Sequence, residues 1–204
     1  MAQKLVGEKD FVSQSVIERR TNSRVIRIKN LTCSRDRIPV FVNFSATFMS
    51  NRINCVIGKN GSGKTQIFRL LSGFDSAKKG NMYLDNAELL CSEEYHQGQV
   101  AYASLDTIPN PEMTVESYYK YLSVFKSERD ESIDKKINKT LKQLGIRHLK
   151  NRVIDSLSLG DKRKVVIGSV NIGDNLVVMI DEPFDGVDAG GRRRITKFLK
   201  GLIK

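Results

Sequence analysis

The sequence predicts an α/β fold built around a phosphate-binding loop, and two observations carry that prediction. A glycine-rich run, Gly58-Lys59-Asn60-Gly61-Ser62-Gly63-Lys64-Thr65, is preceded by an apolar strand pattern and followed by an amphipathic helix pattern. A second apolar run, Leu176-Val177-Val178-Met179-Ile180, ends in Asp181-Glu182-Pro183. The first run fits G-x-x-x-x-G-K-[ST] in full, the P-loop pattern. Its spacing follows from physics. Glycines let the backbone wrap tightly and turn its N–H groups toward anionic oxygens. Lys64 brings an ammonium to β- and γ-phosphates, and the Thr65 hydroxyl can ligate Mg²⁺. A helix starting near Gly63 turns its positive dipole end to the same phosphates.

The other elements follow in chain order. Residues 1–23 are polar, lack the apolar core of a signal segment and read as a loosely ordered leader. Residues 25–28 alternate and begin a strand, and residues 40–44 and 46–49 read as two more. Residues 53–57 form the short buried strand entering the loop. Ile67, Phe68, Leu70 and Leu71 mark one face of the helix leaving it, with Gly73 as its stop. Residues 81–84 and 100–103 are further strands, the second followed by a loop marked by Pro109 and Pro111. Val115, Tyr118, Tyr119, Leu122 and Phe125, then Ile133, Ile137, Leu141 and Leu144, recur at helical spacing and end at Gly145. Helix is also predicted over 161–170. The run 176–180 reads as a strand buried on both faces. Ile195, Phe198, Leu199 and Leu202 share one side of a terminal helix over 192–204. The organisation is a leader, 1–23, and a single domain, 24–204, with a core at 24–103 and 165–204 and a helical insert at 104–164.

The chain has 204 residues, enough for one sizeable core, and its 40% apolar and 28% charged content is that of a soluble globular protein. No segment approaches the about 18 apolar residues a membrane span needs, so the expected place is the cytoplasm, with any membrane link made through a partner. Cys33, Cys55 and Cys91 form no C-x-x-C or Cys/His cluster, so neither a disulfide framework nor a zinc site is suggested, and Cys55 is expected in the core. The net charge of +11 is spread along the chain, with clusters at Lys135-Lys136, Lys162-Arg163-Lys164 and Arg192-Arg193-Arg194. These read first as solvated helix faces, and nucleic acid is not the expected partner.

The acidic pair completes the P-loop chemistry. Asp181 at a strand end can hold Mg²⁺ directly or through water, and Glu182 beside it can deprotonate a water next to a γ-phosphate. Between loop and pair lies Leu157-Ser158-Leu159-Gly160-Asp161-Lys162-Arg163. In order and separation these three motifs resemble the nucleotide-binding domain of an ATP-binding-cassette (ABC) protein, whose signature at this place is Leu-Ser-Gly-Gly-Gln. Gly186-Val187-Asp188 resembles the D-loop that follows the acidic pair in that family. The resemblance runs from about residue 25 to the end, and the run after the signature, with Gly186-Val187-Asp188 and Arg192-Arg193, looks closest to subfamily A, the lipid-exporter branch.

The resemblance implies a P-loop NTPase (RecA-like) core with an antiparallel β subdomain and a helical insert. It implies ATP and Mg²⁺ as ligands, hydrolysis coupled to transport, a second nucleotide-binding domain, homologous or different, as partner, and membrane-spanning segments beyond it. Residues 58–65 would hold the phosphates, with Lys64 and Glu182 catalytic and Thr65 and Asp181 at the metal. Ser158 and Gly160 would contact the nucleotide of the partner domain, and Asp188 would serve the D-loop. Alone, Ser158 reads as a helix N-cap, and it can serve as both.

Four departures from the family pattern shape the expectation. Leu159 and Asp161 replace a glycine and the glutamine of the signature, adding bulk and negative charge beside an anion. Leu105 falls where the family has a glutamine, and Gln97 and Gln99 precede the strand. The family's switch histidine follows a strand beyond Lys204, while His96 and His148 come too early, so a terminal strand is expected to be missing. Arg35 falls where the family stacks an aromatic on adenine, and a planar guanidinium can do the same. Weak turnover in this chain alone is the consequence. The alternatives are a regulatory partner that binds nucleotide without hydrolysing it, a nucleic-acid-linked ATPase of the same fold, and a fragment without independent function.

Overall fold

Two four-stranded sheets carry the fold, and each arises from a different sequence pattern. The computed structural model describes residues 14–18, 25–35, 37–84, 87–88, 100–108, 110–125, 132–173 and 175–203. Cys91, His96, Gln97, Gln99 and Pro109 lie outside the described residues. The first sheet is antiparallel throughout, in the order β3-β2-β5-β6, from β2 (Val25–Arg35), β3 (Ile38–Met49), β5 (Lys79–Leu84) and β6 (Ala87–Glu88). It is the β subdomain the sequence predicts. Where the sequence suggests two strands over 40–49, the structure has one. Asn43 takes a left-handed backbone (φ 53°) and its N–H donates to Thr32 Oγ1 at 3.2 Å, so the irregularity bends β3 without ending it.

The second sheet has the order β4-β1-β8-β7, from β1 (Gln14–Glu18), β4 (Ile53–Val56), β7 (Val100–Ala103) and β8 (Val177–Ile180). β7 and β8 are parallel, pairing Val100 with Val177 through Ala103 with Ile180. β1 lies antiparallel between β4 and β8, with Ser15 opposite Cys55 on one side and Ile180 on the other. This corrects the reading of residues 14–18 as loose leader. A slot with backbone partners on both sides satisfies two ladders of hydrogen bonds, a gain no local pattern of five residues reveals. β4 in turn is the end strand of its sheet. It is half-buried rather than buried, and Cys55 is exposed rather than in the core.

Two apolar cores meet across β8. Val177 and Met179 face one that contains Ile26, Ile28, Met82 and Leu84, together with Ile67, Phe68, Leu70 and Leu71 of α1 (Lys64–Leu71). Val178 and Ile180 face the other, built from four helices, α2 (Val115–Phe125), α3 (Ser132–Leu144), α4 (Leu159–Ser169) and α5 (Ala189–Leu202). Burial on both faces is why the β8 run is unbroken by polar residues. The insert boundary drawn at 164 falls inside α4, whose helix runs from one side of it to the other. α4 is buried along Val165, Val166, Ile167 and Gly168, so its sequence lacks a clean polar stripe.

Gly168 gives a test of this packing. Alanine in a helix interior ordinarily gains about 1 kcal/mol over glycine. Here a Cβ would overlap the Tyr119 hydroxyl, which donates to Val165 O at 2.8 Å, and would sit 2.9 Å from Leu144 Cδ1. Gly168→Ala is therefore expected to lower stability, by about 1–3 kcal/mol, in urea denaturation. A gain in stability would show that α2, α3 and α4 do not close on one another in this way.

Candidate functional site

The loop between β4 and α1 has the backbone its glycines predict. Gly61 and Gly63 take positive φ, 78° and 92°, and a Cβ on Gly63 would lie 2.6 Å from Val40 Cγ1. Gly63 caps α1 without a side-chain bond. Lys64 Nζ folds back over its own loop and donates to Gly58 O at 2.8 Å and Lys59 O at 2.9 Å. Ser62 N–H closes the turn onto Lys59 O at 3.1 Å, while Ser62 Oγ is buried without a partner among the described residues. Arg35, Asn60, Gly61, Gly63, Lys64, Thr65 and Glu182 all line one cleft of about 340 Å³, with Val40 and Gln66 beside them. Residues far apart in sequence, Arg35 from β2 and Glu182 after β8, are thus brought to the P-loop.

Asp181 is delivered by β8 and locked at its end, its N–H donating to Ala103 O at 2.9 Å. Asp181 is 5% exposed as a residue, and its carboxylate accepts a bond from the Thr65 hydroxyl. Burial pushes this carboxyl above its ordinary range and the charge of Glu182 adds to that, outweighing the Thr65 bond. Tyr102 Oη lies 3.4 Å from Asp181 Oδ2, and burial, then the Asp181 charge, drives its own pKa far upward. Two oxygen donors, Thr65 and Asp181, joined at the mouth of a phosphate cradle fit a hard divalent cation that keeps several waters. No cluster of three or more His, Cys, Asp or Glu that could hold a metal occurs among the described residues. Such a cation would need that mixed coordination. Glu182 is exposed and takes φ 47°, a conformation that costs a non-glycine residue about 1–3 kcal/mol.

Ser158, Gly160 and Asp188 do not line this cleft. Ser158 caps α4, accepting from Asp161 N–H at 3.2 Å, and its hydroxyl donates to Asp161 Oδ2 at 2.8 Å. Burial raises the Asp161 carboxyl, but bonds from Lys164 and Ser158 outweigh it and the net direction is down. Leu159 is 52% exposed. Gly160 is required by close approach, because a Cβ there would come 2.7 Å from Gly186 O. Asp188 caps α5, its Oδ1 accepting from Gly191 N–H at 3.1 Å. Leu105 sits in a short 3-10 turn, Leu105–Thr107, and packs on the helical core.

Two site residues escape sequence reading. Tyr102 belongs to no motif, and only pairing of β7 with β8 sets it against Asp181. Arg163 looked like the middle of a solvated cluster, and the structure corrects this. Lys162 pairs with Asp155 and Lys164 with Asp161, both partly buried, and the Arg163 side chain, 7% exposed, is turned toward Asp185.

Known proteins resemble the chain in sequence and in fold. Residues 41–185, more than half of the chain, match the ABC transporter family. A cytochrome c biogenesis ATP-binding export protein, CcmA of Reclinomonas americana, is 28% identical over 82% of this chain and 75% of its own. The spermidine/putrescine import ATP-binding protein PotA of Clostridium novyi is 25% identical, over 88% of this chain and 52% of its own. Among solved structures, an ATP-binding cassette captured as a dimer in a post-hydrolysis state with ADP and Pi superposes with a TM-score of 0.74 at 18% identity, covering 88% of this chain and 83% of that one.

The buried Asp181 carboxylate makes a signed prediction. Its folded pKa lies above its unfolded value of about 3.9, so the unfolded chain loses this proton first. Its contribution to stability therefore falls as pH rises from the unfolded pKa through the folded one, and stays low at pH 7. Asp181→Asn is expected to raise the melting temperature of the ligand-free protein at pH 7, with the gain shrinking as pH falls toward 4. An unchanged or lowered melting temperature at pH 7 would show that the carboxylate carries no such burden.

Proposed function

The chain belongs to the ABC transporter family, and from that premise we propose that it binds MgATP in the cleft between Arg35, the P-loop and Glu182 and hydrolyses it. The observation that carries this reading is the shared cleft. It joins a cationic loop, a planar guanidinium for the base and a carboxylate for water. Lys64 exchanges its two carbonyl partners for β- and γ-phosphate oxygens, and the amides at the start of α1 take the rest of the charge. Thr65 and Asp181 hold Mg²⁺, which neutralises phosphate charge when bound. Glu182 accepts a proton from a water aimed at the γ-phosphorus.

In this reading a second nucleotide-binding domain supplies the signature, and this chain's Ser158 and Gly160 serve the partner's nucleotide with Asp188 at the junction. Transport then works through membrane-spanning segments of a partner. Among the described residues, no helix is long and apolar enough to cross a membrane. The subfamily A affinity rests on the run following the signature and is part of the same proposal.

A second reading has its own observation. The Ser158 hydroxyl is engaged by Asp161, and that carboxylate stands at the N-terminus of α4, where an incoming γ-phosphate would meet it. This favours a chain that binds nucleotide but offers its partner a weak signature.

Excess MgATP is expected to raise the melting temperature of the wild-type chain. Binding to the folded state alone adds about 2.7 kcal/mol at a hundredfold excess over Kd. Lys64→Ala is expected to lose that shift. Absence of a shift in the wild type would sink the reading. Glu182→Gln in the assembled pair of domains is expected to keep the shift and lower phosphate release at least about a hundredfold. Unchanged release would favour the regulatory reading.

A further inference from the structure

Of the three consecutive cations at 162–164, Arg163 is the most buried, and its partners bracket the strained glutamate. Arg163 Nη1 reaches Asp181 O at 3.5 Å, immediately before Glu182, and Nη2 reaches Asp185 Oδ2 at 3.2 Å, three residues after it. Within that span Asp185 N–H donates to Glu182 O at 3.2 Å, and the turn closes with Gly186 at φ 67°. The same helix touches the far end of the turn. Leu159 lies against Gly186, where a Cβ would come 3.0 Å from Leu159 Cδ2, and Gly160 sits beneath Gly186 O.

This arrangement is costly. A buried guanidinium is paired only with an exposed carboxylate, and Arg163 Nε is buried with no partner among the described residues. Replacing such a group by an apolar one of similar volume is often neutral or stabilising, so fold stability alone gives weak reason for an arginine here. Positive φ at a non-glycine residue persists only where its surroundings over-determine it. The two bonds of Arg163 do this for Glu182, fixing the carbonyl before it and the side chain that closes the turn after it.

We propose that Arg163 is a positioning residue that clamps the 181–186 turn to α4 and so holds the Glu182 carboxylate toward the cleft. The clamp also joins the helix that begins at Ser158 and Gly160 to the turn that carries Glu182. The proposal rests on the reading of Glu182 as the group acting on water. Freed of the clamp, the turn relaxes toward negative φ at Glu182, and the carboxylate leaves the cleft without any change at the P-loop.

The test compares wild type, Arg163→Met, Arg163→Lys and Asp185→Asn in the full chain by amide hydrogen exchange without nucleotide, and by steady-state hydrolysis in the assembled pair. Arg163→Met is expected to speed exchange at the Asp185 amide by about tenfold or more while amides of β8 and of α4 beyond Val165 keep their protection. It is expected to lower kcat by about tenfold or more with KM within about twofold, because nucleotide binding is left intact. Arg163→Lys restores part of both, and Asp185→Asn has a smaller effect, since the bond to Asp181 O remains. Unchanged exchange at Asp185 in Arg163→Met would overturn the clamp. So would a uniform rise across α4, β8 and the turn, which is the mark of a merely structural residue. Failure of the wild type to bind or hydrolyse MgATP would sink the functional reading, while the exchange measurement would still decide whether Arg163 holds the turn.

Discussion

The bond between Thr65 and Asp181 is the constraint on which the site depends, and β8 is what makes it possible. A four-residue strand buried on both faces cannot slide without exposing one apolar set and misplacing the other. Its C-terminal end is therefore a fixed point. Parallel pairing with β7 and the Asp181 N–H bond to Ala103 O carry that fixity to the carboxylate. The P-loop arrives from the other side of the sheet, past β1, and its helix packs Phe68 and Leu71 into the same core that holds Met179. Two motifs distant in sequence thus share one rigid support.

Around this fixed point the backbone departs from easy geometry in a graded way. In the loop between β4 and α1, glycines at 61 and 63 take positive φ at little cost. Where the chain turns to present an acid, the residue is Glu182, and the strain is kept. Geometry that a glycine would adopt freely is kept at a glutamate, and in the proposed clamp α4 contacts the turn on both sides of it. The same helix begins with Ser158, Leu159 and Gly160, so a disturbance at its N-terminus has a short mechanical route to Glu182.

Residues 157–161 are one place where this chain departs from the family's signature pattern, and the structure explains what the substitutions do there. Asp161 is not a free negative charge. Ser158 and Lys164 hold it, and its carboxyl remains ionised more readily than an isolated one despite partial burial. Leu159 is spread over Gly186 and half-exposed, so the surface offered there is more apolar and more anionic than a run of glycines would be.

The sequence by itself determined the P-loop, its strand and helix, the two-faced strand ending in Asp181 and the helical stretch between them, because each is written in local spacing or unbroken apolar runs. The resemblance to the family put Arg35, Lys64, Thr65 and Glu182 in one expected site, and the structure lines one cleft with them. Tertiary structure alone decided the rest. β1 became a strand because an open slot between β4 and β8 offered hydrogen bonds on both sides, which five residues cannot advertise in their own pattern. Cys55 became exposed because β4 ended up at a sheet edge. Tyr102 and Arg163 acquired their partners from strand pairing and helix rotation. A basic triad on a helix looks solvated until packing selects which of its members turns inward. Long-range register and burial are collective properties of the folded chain, and no window of sequence contains them.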